Sequence, residues 1–212
     1  MPSETTYSKY IWDYLMNCFH NEYGVAALMG NLYAESGLRP NNLQNTYETS
    51  LGYTDSSYTS AVDSGAYSKD SFVYDEAGYG RAQWTYWSRK KALYEAWKDF
   101  GYDSIADIEL QLMFLVDELV TSYRDVYFTL LDATSIREAS DKVLHDFESP
   151  ADQSTAVEEL RESYGQDYFD LYSGSEPDPD VPEPDEPEPE PEPEPSKKSG
   201  MSLLMLILAT RR

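Results

Sequence analysis

The sequence predicts a mainly α-helical domain with a small irregular or β-hairpin segment, followed by a disordered acidic linker. Three observations carry this prediction. Apolar residues recur at helical spacing before residue 37 and again after residue 87. Between them, from Asn41 to Gly80, the periodicity vanishes and Tyr, Ser, Thr, Asp and Gly dominate. From Glu176 to Pro195, every residue except Val181 is Glu, Asp or Pro.

Each element follows from local chemistry. Ile11, Tyr14, Leu15, Cys18 and Phe19 form the apolar face of a first helix. Val25, Leu28, Met29 and Leu32, at i, i+3, i+4 and i+7, form that of a second over 24–36. Gly37 suits the left-handed position that ends a helix, and Pro40 blocks continuation. Residues 41–80 read as a long ordered loop, and such loops in compact domains tend to be functional. Helix resumes over 88–100 and stops at Gly101, then continues with Ile105, Ile108, Leu112, Leu115, Val116 and Leu119 on one face. A capping box, Ser135 with Glu138, opens a helix carrying Ile136, Ala139, Val143 and Phe147. After Pro150, a tyrosine-rich helix carries Val157, Leu160, Tyr164, Tyr168 and Leu171.

Three regions result: a folded domain over 1–174, a Pro/Glu-rich linker over 175–199, and a short apolar tail with basic flanks over 200–212. Like charges and prolines extend the linker, at roughly 3.1 Å per residue, to about 60 Å. Ten residues of tail helix would reach about 15 Å, about half of a bilayer core, so the tail cannot span a membrane as a helix. The N-terminus lacks the basic-then-apolar pattern of a secretory signal, so delivery to the outside would need another route.

The formal net charge is -23, and the domain stays strongly acidic without the linker. That balance argues against nucleic acid, whose phosphates require Lys and Arg, and against anionic membranes or wall polymers. A neutral ligand fits better. With 19 tyrosines and four tryptophans the chain has aromatic faces for sugar rings, although most should serve packing. The lone Cys18 allows no intramolecular disulfide, and pairing with His145 as a peptidase nucleophile would need local activation that the sequence does not display. His20 and His145 have no ligand-spaced partner, so neither a metal nor another cofactor is expected.

Two motifs carry chemistry. Gly30-Asn-Leu-Tyr-Ala-Glu-Ser-Gly-Leu-Arg-Pro40 places Glu35 at the end of an apolar helix. Apolar neighbours and the negative end of the helix dipole would both disfavour its charged form, which suits a general acid. The alternative is a last-turn glutamate that reaches water. Gly78-Tyr-Gly-Arg-Ala-Gln-Trp-Thr85 closes the irregular stretch, its two glycines allowing main-chain amides and Gln83 to approach a ligand. The alternative there is an ordinary tight turn.

A Glu-Ser pair at a helix end, a polar loop and a Gly-x-Gly-x-x-Gln turn resemble the lysozyme-like superfamily, and more closely the phage tail lysozyme family. Further support comes from Arg89 and Leu93, from Gln111-Leu-Met-Phe-Leu115 with Glu118-Leu119, and from Phe147-Glu-Ser-Pro150. The resemblance spans residues 8–173 and implies a lysozyme-like α+β domain that cleaves the β-1,4 bond between N-acetylmuramic acid and N-acetylglucosamine. It implies Glu35 as the catalytic acid, Gly80 and Gln83 lining the cleft, and Tyr79 and Trp84 as sugar contacts. Arg81 stands where many relatives carry an apolar residue. The implied partners are peptidoglycan glycan strands and, through the C-terminal tail, virion tail proteins; the protein would be virion-associated or released to the host wall. Hydrolysis also needs a second carboxylate. Asp55, Asp63, Asp70, Asp75 and Glu76 lie in the intervening loop, and Asp75, nearest the Gly-Tyr-Gly turn, is the first candidate. Without a second carboxylate the reaction would be that of a lytic transglycosylase. The remaining alternative is a silent wall-binding module.

Overall fold

The computed structural model describes residues 6–175 and 178–181. The rest of the linker and the whole C-terminal tail lie outside the described residues, as do the first five residues. Among the described residues ten α-helices run in order: α1 Thr6–Phe19, α2 Glu22–Ser36, α3 Asn45–Leu51, α4 Asp55–Asp63, α5 Lys69–Tyr74, α6 Trp87–Phe100, α7 Ile108–Ser122, α8 Arg124–Asp132, α9 Ile136–Lys142 and α10 Thr155–Tyr172. A π-helical turn, Val143–Glu148, continues α9.

α2 is the centre of the domain. The sequence reads it as having one buried face, but every residue from Gly24 to Leu32 is buried, because α1, α8, α9 and α10 surround it. Asn21 caps its start by accepting from the Gly24 amide, and Gly37, at φ 63°, ends it with its amide on the Tyr33 carbonyl. The closest packing is against α10, where a Cβ on Gly30 would lie 2.4 Å from the Gly165 nitrogen. Only paired glycines permit this approach, and it lays Arg161, one turn before Gly165, along the last turns of α2.

The irregular stretch is helical where the sequence suggests a loop or hairpin. α3, α4 and α5 occupy it, and β-structure among the described residues is limited to isolated bridges from Tyr79 to Leu43 and to Trp84. Side chains start these helices: Thr54 and Ser57 form a reciprocal capping box on α4, and Ser68 accepts from the Ser71 amide on α5. α8 also has no counterpart in the sequence reading. At the other end of the domain, Val181, the lone exception in the Pro/acid run, is buried at 5% exposure, and the Asp178 amide donates to Asp13. Packing therefore continues past residue 174. No helix among the described residues is long and apolar enough to cross a membrane.

Candidate active site

A cleft of about 870 Å³ opens at the C-terminal end of α2. Glu35 and Ser36 line it from α2, Gln83 and Thr85 from the Gly-Tyr-Gly turn, Arg89 from α6, and Glu148 from the π-helical turn.

Local hydrogen bonds join the two sequence motifs. The Ser36 hydroxyl donates to the Leu32 carbonyl at 3.1 Å and to the Arg81 carbonyl at 2.8 Å, fastening the turn to the end of α2. Gln83, at φ 45°, donates its amide to the carbonyls of Asn42 at 3.1 Å and Gly80 at 2.9 Å. Beneath the turn, buried Gln111 accepts from the Arg81 amide at 3.1 Å and donates to the carbonyls of Pro40 and Ile105. Gly80, at φ 77°, must lack a side chain, since a Cβ would meet the Gln111 amide group at 2.9 Å.

Glu35 does not sit in an apolar environment. Arg161 of α10 reaches across the Gly30–Gly165 crossing and forms an ion pair with it, while its other terminal nitrogen donates to Asn31 at 3.1 Å. The reason is tertiary: the face read as apolar is covered by a helix that carries an arginine.

Glu148 is the acid that sequence reasoning passed over. It ends the π-helical turn, and Ser149, at φ 47°, then reverses the chain. Its Oε1 is sealed from solvent and has no hydrogen-bond partner. Burial, followed by the Glu35 charge beside it, pushes its pKa up to about 8, against the pull of Arg89 and Arg161 and with a further push from Glu118. Arg89 is itself committed, with its guanidinium doubly bonded to Glu118 at 2.6 and 2.7 Å and stacked 4.7 Å over Phe147. The signals available in the sequence were weak: a helical pattern that loses its register, then Ser-Pro. π-helical turns nevertheless occur frequently at functional sites.

The other expected site residues lie elsewhere. Asp75 does not line the cleft; it forms an ion pair with Lys90, both side chains at most 3% exposed, and accepts from Tyr58, Tyr67 and the Ala77 amide. Tyr79 is fully buried, its hydroxyl 2.6 Å from Thr59, and its ring packs on Tyr58 and Phe72. Trp84 is fully buried, donating to Glu118 at 3.0 Å and packing on Phe114. Gly80 shapes the turn from behind. Of the four substrate-binding residues expected from the turn, Tyr79, Gly80, Gln83 and Trp84, Gln83 alone lines the cleft. Arg81 is buried behind it, donating to the Tyr7 hydroxyl at 2.9 Å.

Cys18 is buried, and burial pushes its thiol up to about 12. His145 lies at the surface between Gln153 and Glu158. This arrangement gives no activated thiol. Among the described residues no group of His, Cys, Asp and Glu could hold a metal ion.

Two carboxyls, Glu35 and Glu148, and two guanidiniums, Arg39 and Arg89, line one cleft of this helical domain, and Arg161 is paired with Glu35. The model of the phage tail lysozyme family matches residues 6–172, and the chain belongs to that family. It is thereby a lysozyme-like peptidoglycan hydrolase in general terms, acting at the cell wall or from the virion. No curated protein and no solved structure matches the chain.

Proposed function

We propose that the domain is a glycosidase that cleaves the β-1,4 bond between N-acetylmuramic acid and N-acetylglucosamine, with Glu35 as general acid and Glu148 as its partner carboxyl. The observation that carries this reading is the pair itself: two carboxyls in one cleft, one of them with a buried, unpartnered oxygen. Burial and the Glu35 charge favour the protonated form of Glu148, so Glu148 holds a proton beside Glu35. Glu35 passes that proton to the glycosidic oxygen as the C1–O bond breaks. Water then adds at C1, and its proton returns to the carboxylates. Arg161 fixes the position of Glu35, and Gln83 with Ser36 keeps the turn facing it.

The test is digestion of purified peptidoglycan by the wild-type protein and by Glu35→Gln, with products identified by mass spectrometry. Reducing muropeptides from the wild type alone support this reading. Anhydro ends would make the enzyme a lytic transglycosylase. Sugar binding without cleavage by either protein would leave only a wall-binding module.

A further inference from the structure

Three of the four tryptophans are core residues: Trp12, Trp84 and Trp97 are 2%, 0% and 3% exposed. The fourth, Trp87, is 44% exposed at the first position of α6. It does not stand alone. Tyr86, 63% exposed, precedes it with ring centroids 5.9 Å apart, and Tyr74, 62% exposed at the end of α5, stacks on it at 6.3 Å and 24°. A contiguous exposed aromatic group of this kind contributes little to the core, and such patches mark ligand-binding surfaces.

Its place in the fold indicates which ligand. Tyr86 is also a wall of the cleft, next to Thr85 and Gln83. Tyr86 touches Trp87, which touches Tyr74, so the three rings form a continuous aromatic surface that begins at the cleft wall. Stacking between Tyr74 and Trp87 holds the indole in one orientation, which lowers the entropy cost of packing a ligand against it. The two tyrosines add hydroxyl groups beside apolar ring faces, the combination that suits a sugar ring with its C–H face and hydroxyl rim.

We propose that Tyr86, Trp87 and Tyr74 form a glycan-binding shelf that holds sugar residues of the strand beyond the bond being cut. The shelf rests on the glycosidase reading for the identity of its ligand. It acts on strand length: a long glycan reaches both the carboxyls and the shelf, and a short one reaches only the carboxyls.

The experiment uses full-length protein carrying Glu35→Gln, so that binding is read without turnover. Affinities for peptidoglycan glycan fragments of increasing length are measured with and without Trp87→Ala, Tyr74→Ala and, as the conservative control, Trp87→Phe. Both positions are solvent-facing, and equal thermal midpoints confirm intact folds. The expected result is roughly tenfold weaker binding of long fragments in Trp87→Ala, a loss of about 1.4 kcal/mol. Tyr74→Ala should lose less, Trp87→Phe should restore most of the affinity, and the shortest fragments should bind all variants alike. Length-dependent binding that is the same in all variants overturns the shelf and leaves the glycosidase reading standing. Absence of binding at every length, together with no cleavage by the wild type, removes both.

Discussion

Two acid clusters lie on either side of the Gly-Tyr-Gly turn. At Asp75 both carboxylate oxygens are engaged, by Lys90, two tyrosine hydroxyls and a backbone amide, and the group is shut away from the cleft. Glu35 and Glu148 line the cleft, two guanidiniums lie among three glutamates, and one Glu148 oxygen is buried without a partner. A closed, satisfied network stabilises one conformation; an open, unsatisfied one keeps a proton movable. Proximity to a motif in sequence does not separate the two, but the state of each oxygen does.

The contrast is broken most directly by Glu35→Gln, which keeps the shape and a hydrogen-bond acceptor for Arg161 while removing the transferable proton. Cleavage should fall roughly 10²–10⁴-fold, the usual contribution of a positioned acid, with little change in the unfolding midpoint. Asp75→Ala should do the reverse. It strands a buried Lys90 cation, whose charged form burial already disfavours, at a cost of about 3–5 kcal/mol. Urea unfolding should record that loss, while the rate per folded molecule stays near wild type.

Glu148→Gln sharpens the comparison through pH. Burial and the Glu35 charge push Glu148 up to about 8, so Glu148 holds a proton through neutral pH. Glu148→Gln removes that titrating group, so the alkaline limb of kcat/KM should move from its wild-type position. A merely structural Glu148 would leave that limb in place. Stability supplies an independent reading. The folded chain keeps a proton that the unfolded chain releases above its ordinary value of 4.5, so wild-type stability falls as pH rises from there toward 8. The slope approaches about 1.4 kcal/mol per pH unit, and Glu148→Gln should flatten it in denaturant titrations at a series of pH values.

Elements with long apolar periodicity were legible in the sequence: α1, α2, α6, α7 and α10 fall within a few residues of their expected places. So were the αL stop at Gly37 and the turn that meets it. α3 to α5 were not, because Tyr, Ser, Thr and Asp give short helices no apolar period; their local signs are the hydroxyl caps at Thr54 and Ser68 and the left-handed Gly52 that ends α3. Tyr79 and Trp84 misled for a related reason. Each sits in a ligand-facing motif, and each is turned inward by a partner far along the chain, Thr59 and Glu118. Glu148 acquires meaning only when α2, α6 and α10 bring Glu35, Arg89 and Arg161 around it, contacts that no local pattern encodes.

The smallest effect concerns the serine that follows the acid. In the motif Ser36 could pass for a second catalytic group, yet its hydroxyl is buried and spent on the Leu32 and Arg81 carbonyls. It positions rather than reacts. Removing one such bond leaves the Arg81 carbonyl without its donor and costs about 1 kcal/mol of stability. Gln83 is held through the same turn, so Ser36→Ala should also raise KM severalfold while the pH profile of kcat stays unchanged. A shifted profile would place Ser36 in the proton path and bring it into the open cluster; a shift in KM alone keeps it with the residues that close one.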